Sequence, residues 1–303
     1  MSAPASLDQV VPPRASGFNR FARAFTASRT AVVGLTLLAV VVLLALLAAW
    51  IAPQNPYDLT QLDILDGRMP PGSTSASGMT FWLGTDDQGR DMLSAILYGL
   101  RISLFVGVTS AVVAAAVGAL LGLFAAYAGG RIESALMRLV DLQLSFPAIL
   151  IALMILAFLG KGVLNVVLAL VIVEWAAYAR TARASALIES RKEYIEAARA
   201  MGASPWRILL RHLLPNCLTP LMVIATVQVA RAIALEATLS FLGLGVPVTE
   251  PSLGMLIANG YQYMLSGKFW ISFYPGLALL FTVIAINLVG DRLRDVLNPR
   301  GAS

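Results

Sequence analysis

Six apolar runs, near residues 31–52, 102–128, 136–159, 163–179, 218–241 and 269–289, constrain this chain more than any other feature. A helix needs roughly 20 residues to cross a hydrocarbon core about 30 Å thick. In lipid every backbone N–H and C=O must be satisfied within the segment itself or a closed barrel, so runs of this length and composition are expected to be helices. The fourth is the shortest and carries Glu174. The chain is 58% hydrophobic and 13% charged, which excludes an ordinary soluble domain. The expected fold is all-α, a polytopic membrane protein with six transmembrane helices.

Loop charge supplies the orientation. Arg14, Arg20, Arg23 and Arg29 precede the first run, Arg180, Arg183, Arg191, Lys192, Arg199, Arg207 and Arg211 lie between the fourth and fifth, and Arg292, Arg294 and Arg300 follow the last. These regions are expected on the cytoplasmic side. Residues 53–91 hold Asp58, Asp63, Asp66, Asp86, Asp87 and Asp91 against Arg68 and Arg90, as suits an external loop. The division expected is a cytoplasmic segment 1–30, a first span 31–52, an external loop with a surface helix 53–98, a five-helix core 99–290 and a cytoplasmic tail 291–303. The net charge of +5 thus reflects topology and does not argue for a nucleic-acid partner. About thirty polar residues precede the first run, which is longer than a signal-peptide core, so it reads as a retained helix. The single cysteine, Cys217, permits no internal disulfide and reads as a packing residue.

Residues 189–215 stand out as a charged hairpin between two apolar runs. Glu189 to Met201 reads as one helix, with Glu189/Glu193 and Lys192/Glu196 at i,i+4. Gly202 suits a left-handed turn, and Ser204 and Pro205 suit the N-cap and first turn of a second, short helix. That helix would carry Trp206, Ile208, Leu209 and Leu210 beside Arg207 and Arg211. Two readings fit the residues: a surface for a protein partner, or an interfacial helix lying on the bilayer.

Other features have structural readings. Residues 53–84 are rich in Pro, Gly, Ser, Thr and Asp and read as an irregular loop, with Thr85 or Asp86 as a cap for the surface helix. Gly118 and Gly122 form a Gly-x-x-x-Gly element for close helix approach within the chain's own bundle. Trp270, Phe273 and Tyr274 suit an interfacial belt. Ionisable groups in apolar spans are costly and tend to face a cavity or a partner. Asp141 reads as a local pair with Arg138, whereas Glu174, Arg231 and Glu236 are candidate cavity residues. There is no phosphate-binding Gly-x-x-x-x-Gly-Lys loop, no multi-ligand metal set and no arrangement for nucleophilic catalysis.

Glu196-Ala197-Ala198, then Gly202, then Leu214-Pro215, resembles the EAA loop of permease subunits from bacterial ATP-binding-cassette importers, with His212 a departure where the pattern has isoleucine. Gly84-Thr85-Asp86-Asp87-Gln88-Gly89-Arg90-Asp91, the Leu239–Gly245 segment and the Asn287–Pro299 exit resemble the dipeptide, oligopeptide and nickel branch, closest to its second permease subunit. The resemblance spans about residues 32–299. It implies the type I importer permease fold and an ATPase-coupling role for Glu196, Ala197, Ala198, Gly202, Ser204, Pro205, Trp206, Arg207, Leu209 and Arg211. It also implies a second related permease, two cytoplasmic ATPases that bind ATP and Mg, an external substrate-binding protein, and a bacterial inner-membrane location with both termini cytoplasmic. This chain itself would be non-catalytic and hold no cofactor or metal. Import of dipeptides or oligopeptides by alternating access is the reading preferred; nickel or metal-chelate import, and an ATP-independent channel or secondary transporter, are the alternatives.

Overall fold

The computed structural model describes residues 17–247 and 249–297. Arg14, Arg300, the Asn298-Pro299 end of the C-terminal motif and the side chain of Arg20 lie outside the described residues. A short helix α1 (Gly17–Thr26) leads into α2 (Arg29–Leu46), whose first turn is capped by Ser28 accepting from the Ala31 N–H. After a break at Leu47, α3 (Ala48–Ile51) ends the first span.

The segment from Ala52 to Asp91 contains two single 3-10 turns, capped by Asp58 and Asp63, and a small hairpin of β1 (Ser73–Thr74) and β2 (Thr80–Phe81). The surface helix expected here is not a separate element. Thr85 and Asp86 are fully buried in a loop that closes on itself: the Asp86 N–H donates to the Arg90 carbonyl at 3.0 Å, and Asp86 Oδ1 accepts from the Arg90 N–H at 2.9 Å. Gly89 makes this possible, for a Cβ there would lie 2.1 Å from the Asp63 carbonyl oxygen. The cap falls instead on Asp91, which accepts from the Ser94 N–H and starts α4 (Met92–Ala128) directly. At 37 residues and 1.5 Å per residue, α4 is about 55 Å long. It therefore extends well outside a bilayer at one end or both.

The third apolar run is two helices. α5 (Gly130–Ser145) and α6 (Ala148–Leu159) meet at 92°. Pro147 has no N–H to donate and biases Phe146 to the extended backbone it adopts (φ −91°, ψ 144°). α7 (Val163–Glu189) follows and crosses α4 closely: a Cβ on Gly118 would lie 2.3 Å from the Trp175 carbonyl oxygen, and one on Gly122 2.3 Å from that of Ala179. The Gly-x-x-x-Gly element thus serves the chain's own bundle. α5 is held to α7 by two ion pairs, Asp141–Arg180 and Glu133–Arg183, each at 2.5 Å. Asp141 therefore reaches across to α7 rather than pairing with Arg138 on its own helix.

A hairpin of α8 (Glu193–Ala200) and α9 (Pro205–Arg207) leads through a π-helical turn into α10 (Leu214–Phe241). The nine-residue α11 (Leu253–Tyr261) and the long α12 (Trp270–Leu297) complete the chain. Among the described residues five helices are long and apolar enough to cross a membrane, and the bent α5–α6 pair makes a sixth if it counts as one crossing. The core lies where α4, α7 and α10 pack together, with α2 and α12 against α4's other side. Trp270 departs from the interfacial expectation: it is buried, and its indole N–H donates to the Thr85 carbonyl at 3.2 Å, joining α12 to the 85–91 loop. Phe273 is half-exposed, as a belt residue would be.

Candidate functional site

The hairpin begins with a break the sequence did not suggest. α7 ends at Glu189, Lys192 is extended (φ −81°, ψ 144°), and α8 starts at Glu193, so the Glu189/Glu193 and Lys192/Glu196 pairs do not share one helix. Continuing the helix would have stacked two like charges at i,i+4. The break instead turns Glu189 into an acceptor for Lys192 Nζ at 2.9 Å and for the Tyr194 hydroxyl at 2.6 Å. Tyr194 in turn accepts from Asn216 Nδ2 at 3.1 Å, which ties the two arms together.

The turn is defined at each residue. Gly202 has φ +74°, the Ala203 N–H donates to the Ala198 carbonyl and the Gly202 N–H to that of Arg199. This pair of bonds is a Schellman motif, with its left-handed residue at the glycine. Ser204 Oγ accepts from the Arg207 N–H, and Pro205 occupies the first turn.

The second arm is not an isolated short helix, because it runs on without a stop into the next span. Pro215 and Pro220 lie in the continuous helix. Proline cannot donate, and its ring crowds the carbonyl four residues back. The π turn at Ile208–Leu213, where the Leu214 N–H bonds the Leu209 carbonyl, sits immediately before Pro215 and relieves that conflict.

Burial then sorts the hairpin's apolar residues. Ile195, Ile208, Leu209 and Leu213 pack inward with Leu123 and Cys217, and Ala198 is buried as well. Leu209 is only 4% exposed, so it belongs to the chain's own core and is withdrawn from the expected docking surface. Trp206 and Leu210, four residues apart on one helical face, are 63% and 46% exposed, and Met201 beside the turn is 81% exposed. Arg207, Arg211, Glu196 and Ala197 are exposed around them, and Arg199 lies over the Tyr127 ring at the end of α4. Ile208, expected on that surface with Leu209, is buried too; Leu210, named on the second helix but not among the coupling residues, and Met201 are the exposed residues to add. The i,i+4 spacing from Trp206 was the available signal for Leu210.

A second polar feature lies within the bundle. Glu174 on α7 and Gln228 and Arg231 on α10 face one small pocket with Gln143, Phe146 and Ala148 at the α5–α6 bend. Glu236 is not in it. It is fully buried and accepts from Ser103 Oγ at 3.1 Å and Ser240 Oγ at 2.7 Å, fastening α10 to α4. Of the three candidate cavity residues, the structure brings two together. Among the described residues no three His, Cys, Asp or Glu side chains gather closely enough to hold a metal ion.

The profile of the family described as binding-protein-dependent transport system inner membrane component matches residues 118–302. The chain belongs to this family. A second profile, the N-terminal transmembrane domain of oligopeptide transport permease C, matches residues 16–71. The permease is 39% identical over 299 residues to the di/tripeptide transport system permease protein DppC of Pseudomonas aeruginosa, covering 99% of this chain and 97% of that one. It is also 43% identical to a putative peptide transport system permease of Brucella suis (92% and 90% covered) and 39% identical to the dipeptide transport system permease DppC of Escherichia coli (91% of each). Among solved structures, an inward-facing MetNI methionine ABC transporter chain superposes with TM-score 0.55 at 24% identity, covering 68% of this chain and 97% of that chain. That likeness concerns the fold: the permease has the type I ABC importer architecture. It is a multi-pass subunit of a binding-protein-dependent system, and the relatives named here are peptide permeases.

Proposed function

We propose that this permease forms one half of the translocation pathway of an ATP-driven importer of dipeptides or oligopeptides. A second, related permease supplies the other half. Two cytoplasmic ATPases bind ATP and Mg, and an external binding protein delivers the peptide. The hairpin Glu193–Leu213 faces the cytoplasm and transmits ATPase motion into α7 and α10. The observation that carries the coupling role is the exposure of Trp206, Leu210 and Met201 at the tip of a hairpin whose turn is closed by backbone hydrogen bonds and whose second arm is capped by Ser204. An apolar cluster rimmed by arginines suits a cleft in a protein partner. Because the second arm is continuous with α10, a push on the tip is delivered to the core without an intervening joint. The peptide assignment rests on what the relatives are named for.

The test is affinity capture of the tagged chain from native membranes, followed by reconstitution with binding protein and labelled dipeptide. ATP-dependent uptake is expected. Trp206→Ala/Leu210→Ala should release the ATPases, since truncating a central interface anchor typically costs about 2 kcal/mol or more. Full ATPase retention by that variant would leave the bilayer-lying helix as the better account of the hairpin.

A further inference from the structure

The pocket behind the α5–α6 bend holds a carboxylate that nothing in the coupling role uses. Glu174 is 2% exposed, and neither of its carboxylate oxygens has a hydrogen-bond partner among the described residues. Gln228, 4% exposed and facing the same pocket, has an unpartnered side-chain N–H2. Arg231 lines the pocket one helical turn from Gln228, and its charge acts on Glu174, but no ion pair within 4.0 Å joins them. Buried polar groups are nearly always hydrogen-bonded, and a buried carboxylate is costly until a donor meets it. Here two such groups, from different helices, are aimed into one space.

The surroundings show where a donor would come from. Non-helical backbone at membrane depth is tolerated where it is buried in protein or lines a cavity. The bend residues Leu144, Ser145, Phe146 and Pro147 are exposed, so this break opens onto space outside the chain's own core. The pocket's volume is about 40 Å³. That is room for a group of ammonium size, since a water molecule needs about 10–15 Å³ of such volume, and far too little for a whole peptide. A primary ammonium brings three donors and a positive charge in that space; a carboxylate would bring only repulsion to Glu174.

We infer that Glu174 receives the terminal ammonium of a peptide passing the α5–α6 bend, with the Gln228 side chain beside it and Arg231, exposed at the rim, placed for a carboxylate elsewhere on the same zwitterion. The inference rests on the peptide-importer reading above and adds to it a recognition point within the membrane, separate from whatever selectivity the delivering protein supplies.

The experiment uses the complete importer in proteoliposomes with its binding protein and measures Ala-Ala imported per ATP hydrolysed. Glu174→Gln is expected to lower that ratio at least tenfold, and Glu174→Asp, which keeps the charge, to recover at least a third of it. A residue that merely held the bundle would lower import and hydrolysis together and leave the ratio in place, which overturns the inference. If Glu174 only balances Arg231, Glu174→Gln/Arg231→Gln will restore the ratio, which also overturns it; under the inference the double variant stays as defective as Glu174→Gln. Should Glu174→Gln fail to assemble, Gln228→Leu, which removes the neighbouring polar group alone, is expected to lower the ratio at least threefold, and an unchanged ratio counts against the site. Absence of any ATP-driven dipeptide uptake by the wild-type complex is a separate result: it removes the peptide reading and this inference with it.

Discussion

Two single residues show how local backbone and burial set what this molecule tolerates. At Gly202, a Cβ would meet nothing within 4 Å, so the cost of substitution is confined to its left-handed φ of +74°. Alanine there costs roughly 1 kcal/mol, asparagine less, and a β-branched side chain considerably more. Gly202→Val is therefore expected to abolish coupled uptake, whereas Gly202→Ala and Gly202→Asn retain it; equal activity in all three would show that the turn is not held rigidly. At Asp86, burial pushes the carboxyl up to about 6, even though backbone N–H donors and Arg90 pull it down. A folded-state pKa above the ordinary value means the folded loop binds its proton more tightly than the unfolded chain does. The stability it contributes is complete below about pH 4 and is lost as pH rises through about 6. Amides of residues 85–91 should accordingly exchange more slowly at pH 5 than at pH 7 after correction for intrinsic rates, and Asp86→Asn should narrow that difference.

At the scale of elements, the sequence was most legible where one local rule decides the outcome. Helices at all six apolar runs, the left-handed Gly202, the Ser204-Pro205 start and a close helix approach at Gly118 and Gly122 each follow from chain-local chemistry, although the partner helix at those glycines does not. What was not legible depends on contacts distant in sequence. Leu209 and Leu210 are adjacent leucines, and only the packing of Ile195 and Leu123 against the helix decides that the first is core and the second is surface. Asp141 has an arginine one turn away, yet the pair it makes is with Arg180, because α5 lies alongside α7. Glu236 looked like a pathway charge until two serines, one of them 133 positions away, proved to hold it. The break between α5 and α6 is signalled by Phe146-Pro147, although the apolar run around it has the length of a single span. Composition reports that a segment is in the membrane; the proline reports that it bends there.

For the whole molecule, the count of crossings follows from one long-range contact. If the α5–α6 pair did not cross, five spans would put the two ends of the chain on opposite sides. Arg292, near the end of α12, instead donates to the Ala24 carbonyl of α1, and α1 packs on both α2 and α12. Both ends thus lie at the same end of the bundle, and the bent pair must count as a crossing despite its 92° angle. The basic hairpin belongs to that same end, since α4 and α7 run parallel, Gly118 beside Trp175 and Gly122 beside Ala179, both leaving the acidic 52–91 segment's side, with the α5–α6 pair returning between them. We propose from its arginine and lysine excess that this end lies in the cytoplasm. The prediction is read by cysteine labelling in a Cys217→Ala background with right-side-out membrane vesicles and an impermeant maleimide. Ala76→Cys, exposed in the acidic segment, should label in sealed vesicles. Thr26→Cys, exposed at the end of α1, should label only after permeabilisation. Labelling of Thr26→Cys but not Ala76→Cys in sealed vesicles would invert the assignment, and labelling there of Asp295→Cys, exposed near the end of α12, while Thr26→Cys stays protected would return the count to five and make the α5–α6 pair a re-entrant loop that enters and leaves on one side.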